Sequence, residues 1–214
     1  MTERWNLLIP MLLSLALVTA CASPELQEKP AEEFAAEGLH AVKGTGFASA
    51  YVLPTAQLPS YGQVNFAPMN SAEVEVTSTT VTGTTRRDWQ MTAEREAKLA
   101  EAWSSATTHA FSDYPREDAE SGALQVEAWL TRVSPGRSTN TSSATVGSSS
   151  SINRDVVSVS AEFRIYDAAS QRLLAVVRDS QNIASLQWTR AGGADMANLF
   201  NSWAALLHTR ISGR

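Results

Sequence analysis

The chain has 214 residues, of which 17 are Lys or Arg and 22 are Asp or Glu, so its formal net charge at pH 7 is −5. Without a block of basic residues this balance disfavours nucleic acid as a partner, because phosphate binding needs grouped Lys and Arg side chains. A single cysteine excludes an internal disulfide, and three scattered histidines do not resemble a metal site. We expect no metal and no cofactor, and a domain stabilised by its hydrophobic core.

The first twenty residues are typical of a secretion signal. Arg4 precedes an apolar run at residues 7–18, which is shorter than the roughly 20 residues that a membrane-spanning helix needs. The sequence Val-Thr-Ala-Cys at residues 18–21 then resembles a bacterial lipobox, in which the cysteine is lipidated and becomes the mature N-terminus. We therefore expect residues 1–20 to be a lipoprotein signal peptide and Cys21 to carry the lipid.

A lipidated Cys21 would attach the protein permanently to a membrane, because several acyl chains together bind far more strongly than one. In the sorting rule of the lipoproteins that this motif resembles, an aspartate directly after the cysteine favours the inner membrane. Ala22 and Ser23 stand there instead. We therefore expect the outer membrane, with the domain on its periplasmic face. An ordinary signal peptide with an incidental cysteine fits the position of this one cysteine less well.

Residues 21–46 are predicted to form the lipidated cysteine and a flexible tether. Pro24, Pro30 and five glutamates lie in this stretch, with little bulky apolar content. A single domain is expected to follow over residues 47–214, since about 170 residues suit one domain of ordinary size.

The first half of that domain is predicted to contain a strand and a helix. Alternating apolar residues between 64 and 76, interrupted near Pro68, indicate one bent strand or two short ones. Thr92 is a suitable N-cap for a helix that runs to about Ser112. An apolar stripe marks this helix, and we interpret Trp103 within the stripe as a core anchor rather than a ligand platform.

The second half is predicted to contain three strands and a final helix. Alternation marks a strand at Leu124–Val133 and a stronger one at Val157–Ile165, which forms an antiparallel hairpin with a returning strand at Leu173–Arg178. The Ser- and Thr-rich stretch Ser134–Asn153 is predicted to be a long flexible loop. Asp195 caps the last helix, whose apolar stripe comprises Met196, Phe200, Trp203, Leu207 and Ile211.

These elements predict an α+β fold, with an antiparallel sheet of about four strands and two helices packed on one face. The order is strand, helix, strand, strand, strand, helix. The opposite face would carry Trp129, Tyr166 and Arg164 among other residues. Either the segment Ala48–Tyr61 covers these aromatic side chains, or they mark a surface for a partner.

The order of these motifs resembles a family of uncharacterised bacterial lipoproteins that is classed as a domain of unknown function. The resemblance covers Tyr51 to Ile211, and its motifs are YVLPTAQLPSYGQV, TAEREAKL, LQVEAWLTRV, EFRIYDAASQRLL and FNSWAALLHTRI. The family pattern has Thr-Gly after the aspartate of the hairpin turn, where this chain has two alanines after Asp167. The resemblance implies no catalytic residues.

Two classes of function follow from the sequence. The first is a non-enzymatic, membrane-anchored envelope lipoprotein, resembling the small auxiliary lipoproteins of transport and envelope assembly, with an envelope protein as its partner. The second is a small-molecule-binding or hydrolytic enzyme with an unrecognised site. HExxH and GxSxG motifs and clustered histidines are absent from the sequence, so we expect the chain not to be an enzyme.

Overall fold

Eight strands form one mixed sheet in the computed structural model, which describes residues 24–117, 121–141, 151–185, 188 and 194–214. The strands are β1 Glu25–Pro30, β2 His40–Lys43, β3 Ser49–Val52, β4 Tyr61–Phe66, β5 Glu75–Val76, β6 Ser121–Thr141, β7 Ser151–Asp167 and β8 Leu173–Ala184. The helices are α1 Arg86–Trp89, α2 Ala93–Ala110 and α3 Ala194–Ser212, with short 3-10 helices at Glu32–Phe34 and Leu58–Ser60.

The strands lie in the order β1-β2-β3-β8-β7-β6-β4, and β5 also pairs with β6. Both β4 and β5 run parallel to β6, whereas the other neighbours are antiparallel. The predicted antiparallel sheet of about four strands is therefore wrong, as is the predicted order of elements. The parallel pairs arise because α2 connects β4 and β5 to β6, and a crossover of this kind returns the chain in the same direction.

Part of the predicted tether is folded. Residues 25–30 and 40–43 form β1 and β2 at one edge of the sheet. Between these strands Phe34 is buried and Leu39 is fully buried. Every side chain of β1 is exposed, so backbone hydrogen bonds to β2 hold this strand without an apolar pattern that the sequence could reveal.

The predicted flexible loop at Ser134–Asn153 is also strand over much of its length. β6 and β7 pair continuously from Ser134 opposite Ser158 to Thr141 opposite Ser151. Residues 142–150 lie outside the described residues. The prediction failed because Ser, Thr and Gly side chains give no apolar alternation, whereas the ladder is made by backbone groups that nearly every residue carries.

The other predicted helices and strands are present, but the final helix begins at Ala194, so Asp195 lies in its first turn and is not its N-cap. The Thr92 side chain accepts a hydrogen bond from the backbone N–H of Arg95 and so caps α2. The predicted hairpin is present as β7 and β8. Every residue of the predicted apolar stripe of the final helix, α3, is almost fully buried. The sequence predicted either one bent strand or two short strands near residues 64–76, and the structure has two short strands, β4 and β5.

An aromatic cluster joins both long helices to the sheet. Phe163 of β7 lies between Trp103 of α2, at 5.3 Å between ring centroids, and Trp203 of α3, at 5.6 Å. Phe200 completes the cluster. The Trp203 indole donates to Oδ2 of Asp179 at 2.7 Å. The predicted core role of Trp103 is confirmed, since that side chain is buried against these rings.

Replacing Trp103 by Ala is expected to lower the free energy of unfolding by about 3–5 kcal/mol, because a large buried ring would leave a cavity. Urea denaturation followed by circular dichroism measures this loss. Glu101→Ala, at an exposed position on the same helix, is the control and should change the value by less than about 0.5 kcal/mol. Equal effects of the two substitutions would contradict the assigned core.

The turn between β7 and β8 is organised by Asp167. Its Oδ1 atom accepts hydrogen bonds from the backbone N–H and the hydroxyl of Ser170, both at 2.7 Å, and its Oδ2 atom accepts one from the Tyr61 hydroxyl at 2.8 Å. The Ser170 backbone and side chain, followed by Tyr61, lower the pKa of Asp167 to about 2. The carboxylate therefore ties the turn to the start of β4.

Because the folded-state pKa of Asp167 lies below the ordinary value of 3.8, its ionised form stabilises the fold above pH 4, and this contribution disappears as the pH falls towards 2. Asp167→Asn should therefore be less stable than the parent at pH 6, and the difference should shrink towards pH 2. Urea midpoints of both proteins at a series of pH values measure this convergence. A difference that stays constant with pH would contradict the role of the charge.

Candidate interaction surface

The two faces of the central strands differ in chemistry. One face of β7 packs Phe163 and its apolar neighbours against the helices, and the other presents Glu162, Arg164 and Tyr166. The register of the antiparallel ladder places Trp129 of β6 directly opposite Glu162, and Glu127 opposite Arg164. Side chains at paired positions share a face, so the helix-free face gathers Trp129, Arg164 and Tyr166 as predicted.

Part of this face is covered, but not by the segment that the sequence predicted. The Ala48–Tyr61 segment supplies β3 to the sheet. The cover is instead the 3-10 helix that begins at Glu32: its Phe34 ring packs 4.9 Å from Tyr51. Val176, the ladder partner of Tyr51, is fully buried. The cover ends before β6, which leaves Trp129 and Tyr166 partly exposed.

Glu162 is the central group of the remaining face. It is only 7% exposed, and each of its carboxylate oxygens accepts one hydrogen bond at 2.6 Å, Oε1 from Nε of Arg164 and Oε2 from Nε of Arg178. Arg178 in turn reaches Glu33 on the covering 3-10 helix at 2.7 Å. A buried carboxylate is costly unless it is paired in this way. The pairing therefore holds both guanidinium groups in defined positions.

Arg164 lies over the ring of Trp129, with 4.5 Å from the guanidinium carbon to the ring centroid. Burial lowers the pKa of Arg164, but Glu162 and, to a smaller extent, Tyr166 raise it by hydrogen bonding and charge, so the net shift is upward and the group stays cationic. A stacked pair at a partly exposed site contributes about 0.5–1 kcal/mol. The stack also restricts the Arg164 side chain, so its planar guanidinium group is held in one position on the surface.

Tyr166 extends this surface along β7. The Tyr166 side chain is partly exposed. Its pKa is raised, mainly by burial; Glu127 adds to the rise and Arg164 opposes it. The phenol therefore stays neutral at physiological pH, and it offers an apolar ring with a polar tip.

A shallow cavity of about 470 Å³ lies beside the stacked pair. Its wall on the side away from β7 is the loop at Asn70, whose backbone bonds to Ala128 and Leu130 of β6, both at 2.8 Å. We name this region the Trp129 surface. It comprises Asn70, Glu73, Trp129, Thr131, Arg164 and Tyr166.

Sequence reasoning found three residues of this surface and missed the groups that position them. Trp129, Tyr166 and Arg164 were predicted from alternation, and the structure brings them together on one face. The roles of Glu162 and Arg178 were not predicted. The spacing of Glu162 and Arg164, two residues apart on one strand face, was a usable signal for their pairing. Cys21, the predicted lipidation site, lies outside the described residues.

Two features are absent from the described residues, a metal-binding group and a membrane-spanning helix. Within these ranges no group of three or more His, Cys, Asp or Glu side chains is placed to hold a metal ion. Among the helices of the described part, none is both long enough and apolar enough to cross a membrane.

No family model and no curated protein matches the chain. Among solved structures, the chain is similar to protein XCC0632 from Xanthomonas campestris, a protein of the domain-of-unknown-function family DUF330, with 14% identity over 75% of this chain and 91% of that one and a TM-score of 0.37.

Two solved PelC dodecamers from Paraburkholderia phytofirmans are also similar. A PelC variant has 10% identity over 73% of this chain and 91% of that chain, with a TM-score of 0.29. The other PelC structure has 12% identity over 71% of this chain and 88% of that chain, with a TM-score of 0.26. The sequence identities and TM-scores of these three structures are too low to indicate a function for this chain.

Replacing Glu162 by Ala should lower the free energy of unfolding by about 1–3 kcal/mol, because two arginines lose the acceptor that holds them. The matched control is Glu75→Ala, since Glu75 pairs with Arg132 at 2.8 Å but its side chain is 54% exposed, against 9% for Glu162. An exposed pair contributes about 1 kcal/mol or less. Urea unfolding compares the two variants, and equal losses would show that Glu162 does not act as a buried clamp.

Proposed function

We propose that this chain is a membrane-anchored envelope lipoprotein whose domain binds another envelope protein through the Trp129 surface, without catalysing a reaction. The lipobox at residues 18–21, with its single cysteine, supports the anchor. Ala22 and Ser23 favour the outer membrane and a periplasmic domain. The observation that carries the binding role is the stack of Arg164 on Trp129, held in place by the buried Glu162.

The composition of this surface supports a protein partner. Trp, Tyr and Arg are the residue types that dominate binding energy at protein interfaces. Arg164 is already ordered by Glu162, so less side-chain entropy is lost when a partner packs on it. The partly exposed rings of Trp129 and Tyr166 leave apolar area for a partner to bury.

The alternative of a hydrolase or small-molecule-binding protein has no comparable support. The cavity beside Trp129 is open, and the cation among its lining residues, Arg164, is already paired with Glu162. In the described part of the chain, no serine or histidine of this face stands in a nucleophile arrangement with a carboxylate.

The anchor is tested by Cys21→Ala in cells labelled with radioactive palmitate. The parent should be labelled and should sediment with membranes, whereas the variant should be unlabelled and should not be held by a lipid. Ala22→Gly, next to the modified residue, is the control and should keep the label. Labelling of Cys21→Ala would overturn the lipoprotein assignment.

The binding role is tested by Trp129→Ala in the full-length protein, with chemical crosslinking in cells and identification of the adducts. We expect crosslinked protein adducts of the parent to fall at least tenfold, while the urea midpoint changes little because Trp129 is only partly buried. Leu26→Ala removes an apolar side chain that is 44% exposed on β1 and should leave the adducts unchanged. Loss of stability comparable to that of Trp103→Ala would instead place Trp129 in the core.

A further inference from the structure

We infer that the partner of the Trp129 surface is a protein held in the same membrane as the lipid anchor, rather than a soluble periplasmic protein. This inference rests on the proposed function. It follows from the length of chain between Cys21 and the first strand, and from the place of that strand in the sheet.

The spacer between anchor and domain is very short. β1 begins at Glu25, so only Ala22, Ser23 and Pro24 separate it from Cys21. An extended chain covers at most about 3.6 Å per residue, so Glu25 lies within about 14 Å of Cys21. A flexible tether of 25 residues would have allowed an average span about twice as long.

β1 is joined firmly to the domain. Its residues Glu25 and Leu26 pair with Lys43 and Val42 of β2. The backbone carbonyl of Gln27 makes a 2.8 Å hydrogen bond with Nδ1 of His40. The chain then closes a loop in which the N–H of Ala31 donates to the carbonyl of Leu39 at 2.8 Å. The three residues of the spacer therefore limit how far the domain can move away from the anchor.

The register of the sheet fixes the distance from this anchored strand to the Trp129 surface. Glu25 pairs with Lys43. β2 pairs with β3 through His40 opposite Val52 and Ala41 opposite Tyr51, and the same register extended by two residues brings Lys43 level with Ser49. Ser49 pairs with Arg178, Arg178 with Glu162, and Glu162 with Trp129, so one row crosses the sheet from Glu25 to Trp129.

Five steps between neighbouring strands, each about 4.8 Å, place Trp129 about 24 Å from Glu25. Together with the spacer, this confines the Trp129 surface to within about 40 Å of the lipid-bearing residue, whatever the tilt of the domain. A partner held in the same membrane occupies this layer and is met at a high effective concentration.

The charges of the Trp129 surface favour a protein over the lipid headgroups themselves. Binding to an anionic membrane surface relies on clustered Lys and Arg side chains. Among the residues that line the cavity, Arg164 is the cation, and Glu73 and the underlying Glu162 oppose it. The nearby Arg178 and Arg132 are each paired with glutamates, Arg178 with Glu162 and Glu33 and Arg132 with Glu75. A Trp, a Tyr and an ion-paired Arg are instead typical of a protein interface.

The test uses the full-length, lipidated protein with a photoreactive benzophenone amino acid in place of Thr131, an exposed residue of the Trp129 surface. A second version carries a short protease recognition sequence between Ser23 and Pro24, and the adduct from position 131 is first compared with and without this insertion, because the insertion lengthens the spacer. After irradiation of cells, membranes are isolated and treated with the protease, which cuts the domain from its own anchor. The control carries the same probe at Glu101, exposed on α2.

We expect a protein adduct from position 131, at least several-fold more abundant than from position 101, and we expect it to stay with the membranes after cleavage. An adduct that becomes soluble on cleavage would overturn this inference while leaving the proposed binding role intact. Reaction with lipid alone, or equal adducts at both positions, would overturn it together with that role. Loss of palmitate labelling would instead remove the anchor on which the proposed function depends.

Discussion

The alternation of side chains along β7 determines both faces of this molecule. Successive residues of a strand point to opposite sides. Phe163 therefore packs between the tryptophans of α2 and α3, while its neighbours Glu162 and Arg164 lie on the face without helices. One strand thus anchors the core and presents the candidate surface. A rigid core beneath the strand also keeps that surface in one geometry, which binding without large rearrangement requires.

Glu162 connects the exposed and the covered parts of this face. Its position between Arg164 and Arg178 joins the exposed Trp129 stack to the part of the face that the Glu32–Phe34 helix covers. The N-terminal segment therefore does more than extend the sheet, because through Glu33 and Arg178 it completes the ion-paired row that holds Arg164. This connects residues near the predicted lipid anchor to the surface proposed for binding.

The sequence predicted the elements that have a strong apolar period and missed those that do not. The Val157–Ile165 alternation and the apolar stripe of α3 identified their elements because each buries one face against the core. β1 exposes every side chain, and the continuation of β6 and β7 beyond Ser134 is rich in Ser and Thr. Both depend on backbone hydrogen bonds, which no side-chain pattern records. The alternation placed Trp129, Arg164 and Tyr166 on one face. That Glu162 binds both Arg164 and Arg178 could be recognised only from the distances in the structure.

In the free protein, Glu162 holds Arg164 against Trp129 before any partner binds. Nuclear magnetic resonance of the arginine side chain tests this most directly. In the free protein, ring currents of Trp129 should shift the Arg164 side-chain protons upfield, and its Nε–H should exchange slowly with water. Trp129→Leu should abolish the upfield shift, and Glu162→Gln should accelerate the exchange. Arg164 signals at the positions and exchange rates of a free arginine in the parent protein would contradict the account.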